Sequence, residues 1–267
     1  MSARHPRLAP KLAVALGLAF LLATTLPQAR QANPEPDQGC LLQRAQAFLK
    51  RSSFLKNGQL QGREHQRALR YRVEKYGHVA GIGLESLNSR SADSFAVGMH
   101  FMGKPVSVHE RVAPALRCVE KRIRKRCKKG DSRYIPNAVG GFRLGNTYRG
   151  GEVSNHLFGI AIDIDPERNP CCGCVDPWPT HPLCKLAGAS IYEKTSLPKC
   201  WIQAFERYGF YWLGRDVLED TMHFEFLGSP ERVVPGAKTD KRVAVGAGAP
   251  TDKRNAAPTD KRESRQR

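Results

Sequence analysis

Two short runs constrain this chain more than anything else in it, because each sets ionisable residues against a row of apolar ones. Residues 159–165 read Gly-Ile-Ala-Ile-Asp-Ile-Asp, and residues 221–227 read Thr-Met-His-Phe-Glu-Phe-Leu. In a strand, alternate side chains share a face. Ile160, Ile162 and Ile164 then point to a core, and Ala161, Asp163 and Asp165 point the other way. In the second run Met222, Phe224 and Phe226 take the core face, leaving His223 and Glu225 opposite. A carboxylate midway along an apolar strand needs a partner, since an unpaired buried charge is expensive. The small Ala161 leaves room beside Asp163, and His156, on the loop leading in, can reach the same spot.

Two such strands can converge on one metal ion. His156, Asp163 and His223 would supply three ligands and leave the fourth position to water, as catalytic zinc requires. Bound zinc acidifies its water and polarises a peptide carbonyl. A free carboxylate is still needed to take the water proton and pass it to the leaving amine. Asp220, three residues ahead of His223, is the candidate base. Taken singly these residues are ambiguous. A histidine in a strand is most often a satisfied core residue, and Asp163 alone could bond a backbone turn. Glu225 could fix the His223 imidazole from behind or face solvent. Trp201 and Trp212 read as core, Asp165 and Glu219 as structural or exposed.

Ser-x-His-x-x-Gly-x-Ala-x-Asp, from Ser154, followed by Asp-x-x-His-Phe-Glu, from Asp220, resembles the D-alanyl-D-alanine carboxypeptidase and L-alanyl-D-glutamate endopeptidase family of zinc peptidases. Their fold is shared with the zinc-binding domain of hedgehog proteins. The likeness runs from about Gly140 to Gly228, and more weakly upstream through Phe101-Met102-Gly103-Lys104 and Val108-His109. It implies that His156, Asp163 and His223 bind zinc and that Asp220 is the base. It also implies that an arginine in a Gly-aromatic-Arg stretch holds substrate or steadies the oxyanion. Arg143 in Gly141-Phe142-Arg143 matches, and Arg149 is a second possibility. Ser154 resembles the family's substrate-contacting serine. The implied substrates are peptidoglycan peptides. The departure lies in a cysteine- and proline-rich insert at 165–198, which can reshape the rim of the cleft.

The ends of the chain read differently. Residues 1–30 have the pattern of a secretory leader, with Arg4, Arg7 and Lys11 ahead of an apolar run from Leu12 to Leu22. That run is too short to span roughly 30 Å of hydrocarbon, so no transmembrane span is expected after its removal. Residues 238–267 repeat Thr-Asp-Lys-Arg three times among small residues, a composition that cannot bury enough apolar surface to order itself. The domain expected to fold is 40–235. The formal net charge is +18, which suits anionic envelope polymers and would attract nucleic acid equally well. The leader argues against nucleic acid and for the periplasm or the exterior. The densest cluster, residues 121–126, reads as the solvated face of a helix. Eight cysteines, all beyond the leader, read as disulfides in an oxidising compartment. A Cys/His zinc site from Cys171, Cys172, Cys174, His181 and Cys184 is the rival reading.

Helical spacing is expected at residues 41–49, again at 68–76 with Gly77 as the stop, at 112–123, and at 198–208 before Gly209. Residues 78–106 read as loop or short strands, and 210–213 as a strand. The sum is an α+β domain, helices flanking a small antiparallel sheet. No Gly-x-Ser-x-Gly elbow is present for serine chemistry. The rival to an enzyme is a non-catalytic zinc-stabilised module that binds cell wall or protein. A base at Asp220 is the feature such a module would not need.

Overall fold

The computed structural model describes residues 39–127, 134–146, 151–175 and 177–233. The leader, the repeat tail and Arg149 lie outside the described residues. The order of elements is α1 (Arg51–Phe54), β1 (Leu55–Lys56), β2 (Gln59–Leu60), α2 (Gly62–Tyr76), β3 (Ala96–Phe101), β4 (Lys104–His109), α3 (Ala113–Arg126), β5 (Val139–Gly140), β6 (Ala161–Ile164), α4 (Lys199–Arg207), β7 (Phe210–Trp212) and β8 (His223–Phe226). The fold is α+β. Its central sheet has four antiparallel strands in the order β5-β6-β8-β7, and two hairpins, β1-β2 and β3-β4, accompany it.

The alternation read in residues 159–165 and 221–227 is realised on the core side. Ile160, Ile162, Ile164, Phe224 and Phe226 are all buried. Phe205 of α4 stacks on Phe224 with ring centroids 4.1 Å apart and meets Phe210 edge-on at 5.2 Å. Phe101, at the tip of β3, packs on Trp201 and Phe205 of the same helix. Helix α3 carries a proline in its first turn, where no backbone donor is needed, and buries Leu116, Val119 and Ile123. Trp201 and Trp212 are core residues, as read.

One expected helix is absent. Residues 41–46 are not helical, and Ala47–Leu49 make only a single 3-10 turn. Gln43 donates from its backbone to Arg207, and Gln46 to Leu227. This segment is thus spent on bonds to α4 and the end of β8, and Cys40 is tied to Cys118 of α3. Leu49 goes inward beside Phe54, Ala68 and Leu227, while Leu41 and Leu42 stay exposed. Local periodicity is a weak prior that tertiary bonding overrides. The stretch 78–106, read as loop or short strands, holds the six-residue strand β3, paired with β4 through a Met102-Gly103 turn. Both turn residues have positive φ, 50° and 85°, as a two-residue hairpin turn requires.

All described cysteines are paired: Cys40–Cys118, Cys127–Cys200, Cys171–Cys174 and Cys172–Cys184. The first two close sequence separations of 78 and 73 residues. In the chain-entropy account each removes about 4–5 kcal/mol of unfolded-state freedom. His181 bonds the Glu167 carbonyl and does not join the cysteines, so the Cys/His zinc site does not form. Among the described residues no helix is long and apolar enough to cross a membrane.

Candidate metal centre and active site

Register assembles the site. In the β6-β8 pair Asp163 stands directly opposite His223, a placement that brings two side chains of one face into contact. Asp163 Oδ1 lies 2.7 Å from His223 Nδ1. His156 arrives on the 3-10 turn Asn155–Phe158, which Ser154 caps by accepting from the His156 backbone N–H at 3.3 Å. Gly159 then reverses the chain into β6 with φ at 65°. A Cβ there would sit 2.8 Å from the His109 backbone nitrogen, which donates to the Gly159 carbonyl. The turn delivers His156 Nε2 to 3.1 Å from Asp163 Oδ2 and 3.2 Å from His223 Nδ1.

The outer nitrogens are occupied. His156 Nδ1 donates to the Gly141 carbonyl at 2.6 Å, and His223 Nε2 donates to Glu225 Oε1 at 3.2 Å. Those partners fix each tautomer so that His156 Nε2 and His223 Nδ1 face Asp163, the arrangement in which imidazoles ligate metals. The three donor atoms lie within 4.8 Å of one another. Two imidazole nitrogens and a carboxylate fit zinc or a similar divalent ion. With protons in place of a cation, burial works against the charged form of His223. Even so, Asp163 and Glu225 hold the His223 imidazole well above its usual pKa. Burial likewise pulls Asp163 up, but His156 and His223 keep its carboxyl well below the ordinary range. A cation binding here displaces protons.

Asp220 sits on the turn entering β8. Its Oδ1 is buried and has no hydrogen-bond partner among the described residues. Burial, aided by Asp163 and Glu225, pushes its pKa up to about 7. A carboxylate with a buried, unsatisfied oxygen and a pKa near neutrality is suited to proton transfer. Arg143 stands at the rim with its side chain 38% exposed, its Nη1 3.6 Å from Asp163 Oδ2. Ser154 is fully buried. Its hydroxyl serves the turn that presents His156 and has no exposed surface for a substrate, so its placement is that of a positioning residue.

Residues 148–226 match the family model described as D-alanyl-D-alanine carboxypeptidase. Over that segment the chain is similar to this peptidase family. The match takes in His156, Asp163, Asp220 and His223, and stops short of Arg143. No curated protein and no solved structure matches the chain.

Three features of the matched segment's surroundings were not visible in the motifs. Arg51 of α1 donates to Glu152 at 2.8 Å and to Asp216 at 3.0 Å, all three groups largely buried. Glu152 precedes the first motif by two residues and Asp216 precedes Asp220 by four, so one guanidinium ties both approaches to the site. Charge type hinted at this, but the partners are 101 and 165 residues away. Second, residues 170–174 of the insert pair with 217–221. Gly173 donates to the Leu218 carbonyl, Cys172 to that of Glu219, and Thr221 to that of Pro170. The insert therefore buttresses the turn carrying Asp220. Third, Gly141 offers its carbonyl to His156 while its Cα lies against β4. A Cβ there would run into the Ser107 carbonyl and Val106. Gly141→Ala is expected to lower stability by about 1–3 kcal/mol, as overpacking does, read by urea denaturation in chelator. Metal affinity should fall with it as the carbonyl shifts from His156.

Proposed function

We propose that this chain is an exported zinc peptidase that hydrolyses peptide bonds of peptidoglycan stem peptides, with the hedgehog-like zinc fold of its relatives. The observation that carries the reading is the convergence of His156, Asp163 and His223, outer nitrogens held, beside Asp220, whose buried Oδ1 has no hydrogen-bond partner among the described residues. His156 Nε2, His223 Nδ1 and Asp163 would hold the ion. When bound, zinc supplies Lewis acidity toward a peptide carbonyl and toward water. Asp220 takes a proton from the attacking water and returns it to the leaving amine. Arg143, at the rim, steadies the oxyanion or a substrate carboxylate. Arg51 and the insert hold Asp220 and His156 in register from behind. The exposed cations of α3, Arg117, Lys121, Arg124, Lys125 and Arg126, would keep the enzyme near anionic envelope polymers by screened, sequence-independent attraction. The paired cysteines suit the periplasm or the exterior.

The test is a digest of purified peptidoglycan by the mature protein, read by mass spectrometry with chelator and with zinc restored. Fragments that vanish with chelator and return with zinc are expected, and their masses name the bond as carboxypeptidase or endopeptidase type. A zinc-loaded protein that yields no fragments would overturn the reading in favour of a binding module.

A further inference from the structure

We propose a second metal site, formed when the Cys171–Cys174 disulfide is reduced, in which the two thiolates and Asp220 bind a soft divalent cation. Both sulfurs and a carboxylate oxygen of Asp220 already lie within 4.8 Å of one another. Cys171 is buried and forms an isolated antiparallel bridge with Asp220. The loop is kept there by backbone hydrogen bonds that do not depend on the disulfide: Gly173 to Leu218 at 2.7 Å, Cys172 to Glu219 at 3.2 Å, Thr221 to Pro170 at 3.1 Å. Gly173 is pressed so close that a Cβ would sit 2.6 Å from the Val217 carbonyl. The second, independent pointer is Asp220 itself, whose buried Oδ1 has no partner among the described residues.

The chemistry is ordinary. A small dithiol gives two electrons and two protons to the Sγ–Sγ bond and leaves as its own disulfide, and the two thiols lose their protons to the incoming cation. Zinc bonds sulfur at about 2.3 Å and carboxylate oxygen at about 2.0–2.2 Å, so tetrahedral donors stand about 3.4–3.8 Å apart. The three donors already lie within 4.8 Å of one another, so the freed cysteine side chains need only turn toward that spacing. Thiolates select zinc or cadmium over magnesium or calcium. A cation held here engages the carboxylate that the proposed mechanism uses as its base, so filling the site stops turnover. Only that consequence rests on the peptidase reading; the ligand set does not.

The test uses the mature protein with its first site loaded, oxidised or treated with dithiol and desalted anaerobically, then titrated with cadmium. After reduction we expect about one additional equivalent bound, with a thiolate-to-cadmium charge-transfer absorption absent from the oxidised protein. The Cys171→Ser/Cys174→Ser variant should lose both the extra equivalent and the absorption, and Cys172→Ser/Cys184→Ser should keep them. Asp220→Asn, which leaves every cysteine in place, should weaken the extra equivalent at least tenfold. An absorption that survives Cys171→Ser/Cys174→Ser, or none in the reduced wild type, overturns the proposal. A protein inactive in the oxidised state that still takes the extra equivalent separates failure of the peptidase reading from failure of this one.

Discussion

Asp220→Asn is expected to lower kcat by about 10²–10⁴-fold while zinc content stays unchanged, the span that positioned acid–base catalysis contributes. In barrier terms that is about 3–5 kcal/mol. The substitution keeps shape and removes only the ability to carry a proton. The orphaned Oδ1 makes the prediction sharp, because no described group depends on that oxygen for a hydrogen bond. The wild type should also show an acid limb in its pH profile. Burial pushes Asp220 up to about 7, and a cation nearby draws it down again, so activity falls as pH drops through a value below 7. Residual activity of the Asn variant should lack that limb. Steady-state kinetics on a stem peptide, alongside metal analysis, checks both. An Asn variant with full kcat and bound zinc would sink Asp220 as the base.

Asp163→Ala is expected to abolish zinc binding, and with it activity. The carboxylate faces both imidazoles, at 2.7 Å from His223 and 3.1 Å from His156, and two histidines on different elements make a poor site without it. Metal analysis after dialysis should fall from about one zinc per chain to near none. Stability offers a second readout. Zinc at a hundredfold excess over Kd stabilises the native state by about 2.7 kcal/mol, so the melting temperature of wild type should rise with zinc and that of the variant should not. The metal-free proteins differ too. Asp163 has a depressed folded pKa and stabilises above the unfolded carboxylate value, about 3.9; His223 has a raised one and stabilises below the unfolded imidazole value, about 6.5. The pair is therefore at full strength between those values. The stability gap between wild type and variant should be widest there and narrow on either side. A variant that retains stoichiometric zinc would remove Asp163 from the ligand set.

How far the site was legible before the structure follows from which signals are local. Alternation along 159–165 and 221–227 is a property of neighbouring residues. It assigned Ile160, Ile162, Ile164, Phe224 and Phe226 to the core, and Asp163 and His223 to one common face. Helix periods of α2, α3 and α4 were legible for the same reason, each with an apolar stripe and a glycine or proline at one end. What no local pattern carries is the choice of partner. Asp163 meets His223 because β6 and β8 are neighbours in a set register, a pairing across 60 residues. The segment 41–46 has helical spacing but bonds to α4 and to the end of β8. Nothing in the residues around Arg51 names Glu152 and Asp216 as its partners; folding brings them to it. Gly141 is marked in the sequence only as part of a Gly-aromatic-Arg motif, and its close approach to β4 is a contact that folding makes. The four disulfides were one of 105 possible pairings. Ordering of neighbours is written in side-chain type and spacing. Ordering of partners is settled when burial, backbone bonding and charge are satisfied together, and that happens only in the closed chain.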